Sequence, residues 1–168
     1  SFFVSRVDTE ADKRLEAIGG EALALRGKLA VANAKLAYQA WKEIFAGARW
    51  ERLAERGATT QRCLWASTST KNPEYRDVMY VEELIGPETV NTMPMETVRA
   101  FQDHGRVART LDQGLDEAQE VFDRLAAVGV DYDDVTDTLE REGVQKFADS
   151  FRELLDGVQA KRGELVKA

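Results

Sequence analysis

Two short stretches of the chain bring together side chains that can hold a phosphate group. The first is Ser1-Phe2-Phe3-Val4-Ser5-Arg6; the second is Trp65-Ala66-Ser67-Thr68-Ser69-Thr70-Lys71-Asn72-Pro73. Small hydroxyl residues let backbone N–H groups approach a phosphate and donate to it through their own O–H groups, while arginine or lysine supplies the opposing charge. Ser67 with Lys71, plus Arg6 and Ser1, is chemically sufficient for that task. A Ser/Thr-rich segment with one lysine is also the ordinary composition of a solvated turn, so residue types alone leave both readings open.

Other reactive side chains have structural readings. His104, in Asp103-His104-Gly105, is expected near a helix C-terminus, where a cation suits the helix dipole. With one histidine and one cysteine in the sequence, no metal-ligand spacing is available. Cys63 reads as a small buried hydrophobe. Asp131, Asp133 and Asp134 partly resemble a calcium loop, but the glycine and terminal glutamate of that motif are missing, which favours helix capping. Trp41 and Trp50 read as packing groups, and Lys28, Lys35 and Lys42, at seven-residue spacing, as one solvated helix face. No Gly-x-Gly-x-x-Gly or Walker-type sequence offers a nucleotide site.

The elements that must position the two clusters follow from periodicity. Leu25, Leu29, Ala32, Leu36, Ala40 and Ile44 define one buried stripe, which predicts a long helix over 21–45 that continues past Trp50 to a stop at Gly57. A shorter helix is expected over 9–18, capped by Asp8 or Thr9 and ended by Gly19-Gly20. Leu111, Leu115, Ala118, Phe122 and Leu125 form another stripe, 131–142 a weaker one, and Val144, Phe147, Phe151, Leu154 and Val158 a final one. Strands are expected at 1–5, 60–67 and 89–93, the last followed by Pro94 in the first turn of a helix. Strands alternating with helices imply parallel βα units. Three short strands cannot enclose a core of their own, and a (βα)8 barrel needs about 250 residues. The expectation is therefore a partial barrel, with Ser1 at the stump of a strand and with Leu64, Trp65 and Val90 poorly covered. An α-rich domain in which these strands are loops is the alternative.

Composition bounds the class. The chain has 168 residues, 43% hydrophobic and 32% charged, in the range of one folded domain. A net charge of −7 repels a nucleic-acid backbone and argues against that partner, while leaving room for a local basic site. The single cysteine fits a reducing cytoplasm, and no apolar run approaches the roughly 18 residues of a membrane span.

Three segments in order, Ser1 to Asp8, Leu64 to Pro73 and Tyr80 to Pro94, resemble the transaldolase family, and the helical tail to about residue 162 resembles its longer bacterial members. The resemblance implies an α/β chain forming the C-terminal portion of a (βα)8 TIM barrel, from the end of strand 6 through strand 8, with extra C-terminal helices. Residues 1–105 would be barrel units and 106–168 a helical extension packed on them. It implies Schiff-base transfer of a dihydroxyacetone unit between sugar phosphates, with no metal or other cofactor. On the matching positions, Arg6 and Ser67 would bind the substrate phosphate and Ser1 and Phe3 would line the site. Lys71 would replace the family's second basic residue across a two-residue insertion. The Schiff-base lysine and its acids would precede Ser1, so no catalytic residue is assigned here. A self-contained helical interaction domain and part of a fused bifunctional sugar-phosphate enzyme are the competing readings.

Overall fold

The computed structural model describes residues 1–166. It is an α/β arrangement, mostly helical, around a small parallel sheet. Strands β1 (Phe2–Phe3), β2 (Cys63–Ala66) and β3 (Thr89–Asn91) lie in chain order. Phe2 stands opposite Trp65 and Phe3 opposite Ala66, while Cys63, Leu64 and Trp65 face Thr89, Val90 and Asn91. Parallel pairing requires a crossover between neighbouring strands, and helices supply it. They are α1 (Val4–Ile18), α2 (Leu29–Ile44) and α3 (Gly47–Ala54) after β1, then α4 (Met79–Glu83) after β2. Helices α5 (Met95–His104), α6 (Leu115–Ala127) and α7 (Tyr132–Val166) follow β3. The strands are shorter than the sequence predicts, but all three occur where expected.

The strands' C-terminal ends are cross-linked. Ser5 N–H donates to the Ser67 carbonyl at 3.0 Å, and Thr92 N–H donates to the Trp65 carbonyl at 2.9 Å. Thr68, fully buried, donates its hydroxyl to Asn91 Oδ1 at 2.7 Å. Trp65 is 2% exposed, with Phe2 edge-on to its ring, so the expectation that it lies poorly covered is wrong. The packed helical layer closes over it, while Leu64 and Val90 are half-buried.

Several helix boundaries differ from the periodicity reading. Helix α1 starts at Val4, directly after β1, with Phe3 rather than Asp8 or Thr9 at its N-cap position. Asp8 is buried among Val4, Val7, Ala11 and Leu15 on the same helix. The long second helix is broken into a 3-10 segment (Gly20–Leu25) and α2 by Gly27, whose φ is +69°. Its stripe also fades: Leu29 and Ala32 are buried, yet Ile44 is 66% exposed, and burial shifts to Ala30, Ala34 and Tyr38. Helix α2 packs against both α1 and α6, which encloses its N-terminal half. For that reason Lys35 is not on a solvated face with Lys28 and Lys42: it is buried and ion-paired with Glu83 at 3.3 Å. Trp41 and Trp50 belong to an aromatic ladder, Tyr38–Trp41–Phe45–Trp50. Leu111 is buried but precedes α6 rather than joining it.

The described residues form two compact units, Ser1–Tyr132 and the segment from Asp133 onward. The second is one continuous helix where two were expected, with Gly143 inside it and Asp133 and Asp134 in the first turn of α7. It carries the ion pairs Lys146–Glu142 and Arg152–Asp149. Val144, Phe147, Phe151, Leu154 and Val158 are each more than half exposed, so this stripe is not a buried one. No helix among the described residues is long and apolar enough to cross a membrane.

Gly27, in the turn before α2, lies against Tyr75 of the segment after β2. Its backbone is left-handed, and a Cβ there would fall 2.8 Å from Cζ of Tyr75. Gly27→Ala therefore meets both backbone strain and the phenol ring, and should cost at least about 1–2 kcal/mol. A urea unfolding curve that keeps its midpoint in the variant would contradict this packing.

Candidate functional site

Arg6 lies in the first turn of α1, the end at which the helix dipole favours an anion. It is exposed, its guanidinium sits 4.6 Å over the Phe3 ring, and it has no ion pair among the described residues. Phe3, 39% exposed, ends β1. Ser1, just before β1, is exposed and lines a cleft with Phe2, Trp41 and Trp65, whereas Phe3 alternates to the face opposite Phe2. Phe2 packs with Trp65 on the helix side.

Ser67 follows β2 directly and holds φ at +54°, a left-handed conformation that a serine adopts only under constraint. The constraint is visible: its carbonyl is bonded to Ser5 N–H, and the next residue, Thr68, is locked to Asn91. Arg6 and Ser67 thus leave adjacent strand ends that are tied to each other. Lys71 is exposed and donates to Ser69 Oγ at 2.9 Å. It lines one cleft with Asp12, Lys13 and Tyr75, and another with Glu96 and Thr97.

Sequence reasoning missed what fixes this edge. Asp8 and Asp12, one turn apart on α1, are 1% and 8% exposed. Asp8 accepts from Ala30 N–H at 2.8 Å and from the Tyr80 hydroxyl at 2.7 Å. Asp12 accepts from Gly27 N–H at 2.9 Å and from the Tyr75 hydroxyl at 2.5 Å. Arg26 adds an outer clasp, reaching Glu16 at 2.9 Å and Glu74 at 2.7 Å. Burial pushes the Asp8 carboxyl up to about 6, against the pull of its two hydrogen bonds, and raises Asp12 as well. Burial and the neighbouring carboxylates push both phenols upward, so Tyr75 and Tyr80 stay O–H donors. The signal was present in the sequence: Asp8 falls on the apolar stripe Val4–Ala11–Leu15.

Several other polar groups are committed elsewhere. His104, the last residue of α5, lies 2.9 Å from Asp77, and that contact raises the imidazole and lowers the carboxyl. Glu82 is held low by the Arg76 guanidinium and also accepts from Arg106 N–H. Cys63 is half-buried in β2, which raises its thiol. No group of three or more His, Cys, Asp or Glu suited to a metal occurs among the described residues.

A sequence model of the transaldolase/fructose-6-phosphate aldolase family matches residues 1–158. A transaldolase of Acidothermus cellulolyticus is 59% identical over 159 residues, 94% of this chain and 43% of that protein. Transaldolases of Mycolicibacterium paratuberculosis and Frankia alni are 57% and 56% identical, over 99% and 97% of this chain and 46% and 44% of their own lengths. The chain spans somewhat under half the length of the curated relatives it matches.

The raised Asp8 carboxyl has a definite consequence for stability. Between pH about 4, where an unfolded aspartate has lost its proton, and pH about 6, the folded chain still holds it. The folded state binds more protons in that window, so Asp8 makes stability fall as pH rises through it. Asp8→Asn removes the titration at nearly constant size, and its amide oxygen can still accept from Ala30 N–H. Its stability relative to the parent chain should climb by up to about 3 kcal/mol from pH 4 to pH 7. Urea denaturation at both pH values reads this difference, and a constant offset would contradict it.

Proposed function

The chain belongs to the transaldolase/fructose-6-phosphate aldolase family, and we propose that it supplies the phosphate-binding side of a transaldolase. In this reading β1, β2 and β3 are the end of strand 6, strand 7 and strand 8 of a (βα)8 barrel. Residues 1–105 complete the barrel wall and 106–168 form a helical extension. The parent enzyme transfers a dihydroxyacetone unit from sedoheptulose 7-phosphate to glyceraldehyde 3-phosphate, giving erythrose 4-phosphate and fructose 6-phosphate. This is the non-oxidative pentose phosphate chemistry of the cytoplasm.

The observation that carries the reading is Arg6: an arginine with no carboxylate partner among the described residues, in the first turn of α1 and tied through Ser5 to Ser67. A dianionic phosphate placed there would meet the guanidinium, the helix N-terminus and the Ser67 hydroxyl together. Barrel enzymes bind phosphate at this end, on the loops after the late strands. Lys71 would add a second positive charge as a point donor rather than a bidentate fork, and Ser1 and Phe3 would line the site. Fixing the phosphate places the ketose carbonyl in one position, so that binding energy remote from the reacting bond is used for orientation.

The nucleophilic amine would come from outside this chain. Among the described residues Lys35 is the one buried lysine, and it is held by Glu83. A Schiff-base lysine must instead offer a free amine to the carbonyl.

Arg6→Ala in the protein at the family's full length tests the proposal. Loss of a charge-assisted contact worth about 1.5–3 kcal/mol should raise KM for fructose 6-phosphate by about ten- to a hundredfold. Ser67→Ala should raise it less. An Arg6→Ala enzyme with unchanged KM would remove the basis of the reading.

A further inference from the structure

Among the described residues Lys71 has no direct tie to the helix that carries Arg6; its side chain bonds to Ser69, two residues away. What holds its segment in place begins at the next turn. Asn72 Oδ1 accepts from Glu74 N–H at 2.9 Å and the Asn72 carbonyl accepts from Tyr75 N–H at 3.1 Å, closing a turn over 72–75. Tyr75 then reaches across the segment boundary: its ring rests on Gly27 and its hydroxyl is bonded to Asp12 at 2.5 Å. Asp12 is itself fixed, because its other oxygen accepts from Gly27 N–H. Asp12 and Arg6 stand on one continuous helix, about 9 Å apart along its axis.

From this geometry we infer that Tyr75 is a positioning residue, setting the reach of Lys71 toward a phosphate held by Arg6. The inference rests on the reading of Arg6, Ser67 and Lys71 as phosphate ligands. The path from one cation to the other runs Arg6, α1, Asp12, Tyr75, turn, Lys71, and Tyr75 itself touches no substrate in it. Two features separate this role from simple packing. The ring of Tyr75 fills the space over Gly27, so a phenylalanine would keep the packing and lose only the anchor. The other tie on this turn, Arg26 to Glu74, joins side chains that are 29% and 65% exposed, and such pairs hold little.

The test is a mutant cycle at the family's full length, with KM and kcat measured for fructose 6-phosphate. Tyr75→Phe should raise KM by about three- to tenfold and leave kcat within about twofold. Lys71→Ala should raise KM at least as much, and the double variant should be no worse than Lys71→Ala alone, because one residue acts through the other. Additive effects, or a lowered kcat with unchanged KM, would overturn the inference in favour of a general folding role. Should Tyr75→Phe fold poorly, Asp12→Asn is the second route to the same KM rise. It keeps an acceptor for Gly27 N–H and changes the partner of the phenol. Faster amide exchange at Glu74 and Tyr75 in either variant is expected, and unchanged exchange overturns the anchor. Arg6→Ala serves as the control. If it raises KM while Lys71→Ala does not, the positioning inference falls and the phosphate edge stands. If neither raises it, the phosphate reading fails and the inference with it.

Discussion

Two buried carboxylates on one helix hold this structure in register. Asp8 and Asp12 leave α1 on its inward side, and each accepts one backbone N–H and one phenol hydroxyl. The backbone donors, Ala30 and Gly27, belong to the start of α2 and the turn before it; the phenols, Tyr80 and Tyr75, belong to the segment after β2. A single face of α1 therefore fixes the crossover that precedes β2 and the loop that follows it. Burying a carboxylate is costly unless its oxygens are satisfied, and here four donors from two separate regions satisfy them. The arrangement specifies geometry more than it adds stability, as the upward displacement of the Asp8 carboxyl indicates.

That constraint also shapes the surface. The chain carries 30 acidic residues against 23 basic ones, a balance unfavourable to an anionic ligand unless the acids near its site are engaged. Several of them are. Asp8 and Asp12 face inward, Asp77 lies against His104, and Glu82 is held by Arg76. Arg109 and Asp112 pair with each other further along the chain. Arg6 is left over the Phe3 ring with its charge uncompensated by any carboxylate among the described residues. Within an acidic protein, this local arrangement is what gives the proposed phosphate edge its chemistry.

The sequence was informative where local signals and tertiary structure agree. Three strand positions, the parallel βα order and the helix after Pro94 were readable because short apolar runs ended by turn residues have few alternatives. The motifs around Arg6 and Ser67 were readable through resemblance, and their physical setting was not. Nothing local reveals that Ser67 is left-handed, because the cause is a bond to Ser5 more than sixty residues earlier. Lys35 was misread because helical periodicity identifies one apolar face but not how many neighbours a helix has; α2 is covered by both α1 and α6. Asp8 was read as a cap because aspartate near a helix start commonly is one. Its position on the apolar stripe of α1 pointed the other way. The exposed stripe of α7 shows the reverse limit: a regular apolar face does not by itself say that the face is covered.

The division of labour proposed for this chain, phosphate recognition within it and the Schiff-base amine outside it, is open to one direct measurement. The protein at the family's full length would be treated with fructose 6-phosphate and borohydride, digested, and the reduced adduct located by peptide mass spectrometry. The account predicts a single modified lysine outside the sequence from Ser1 to Ala168. An adduct on Lys35, Lys71 or any other lysine of this chain would contradict it.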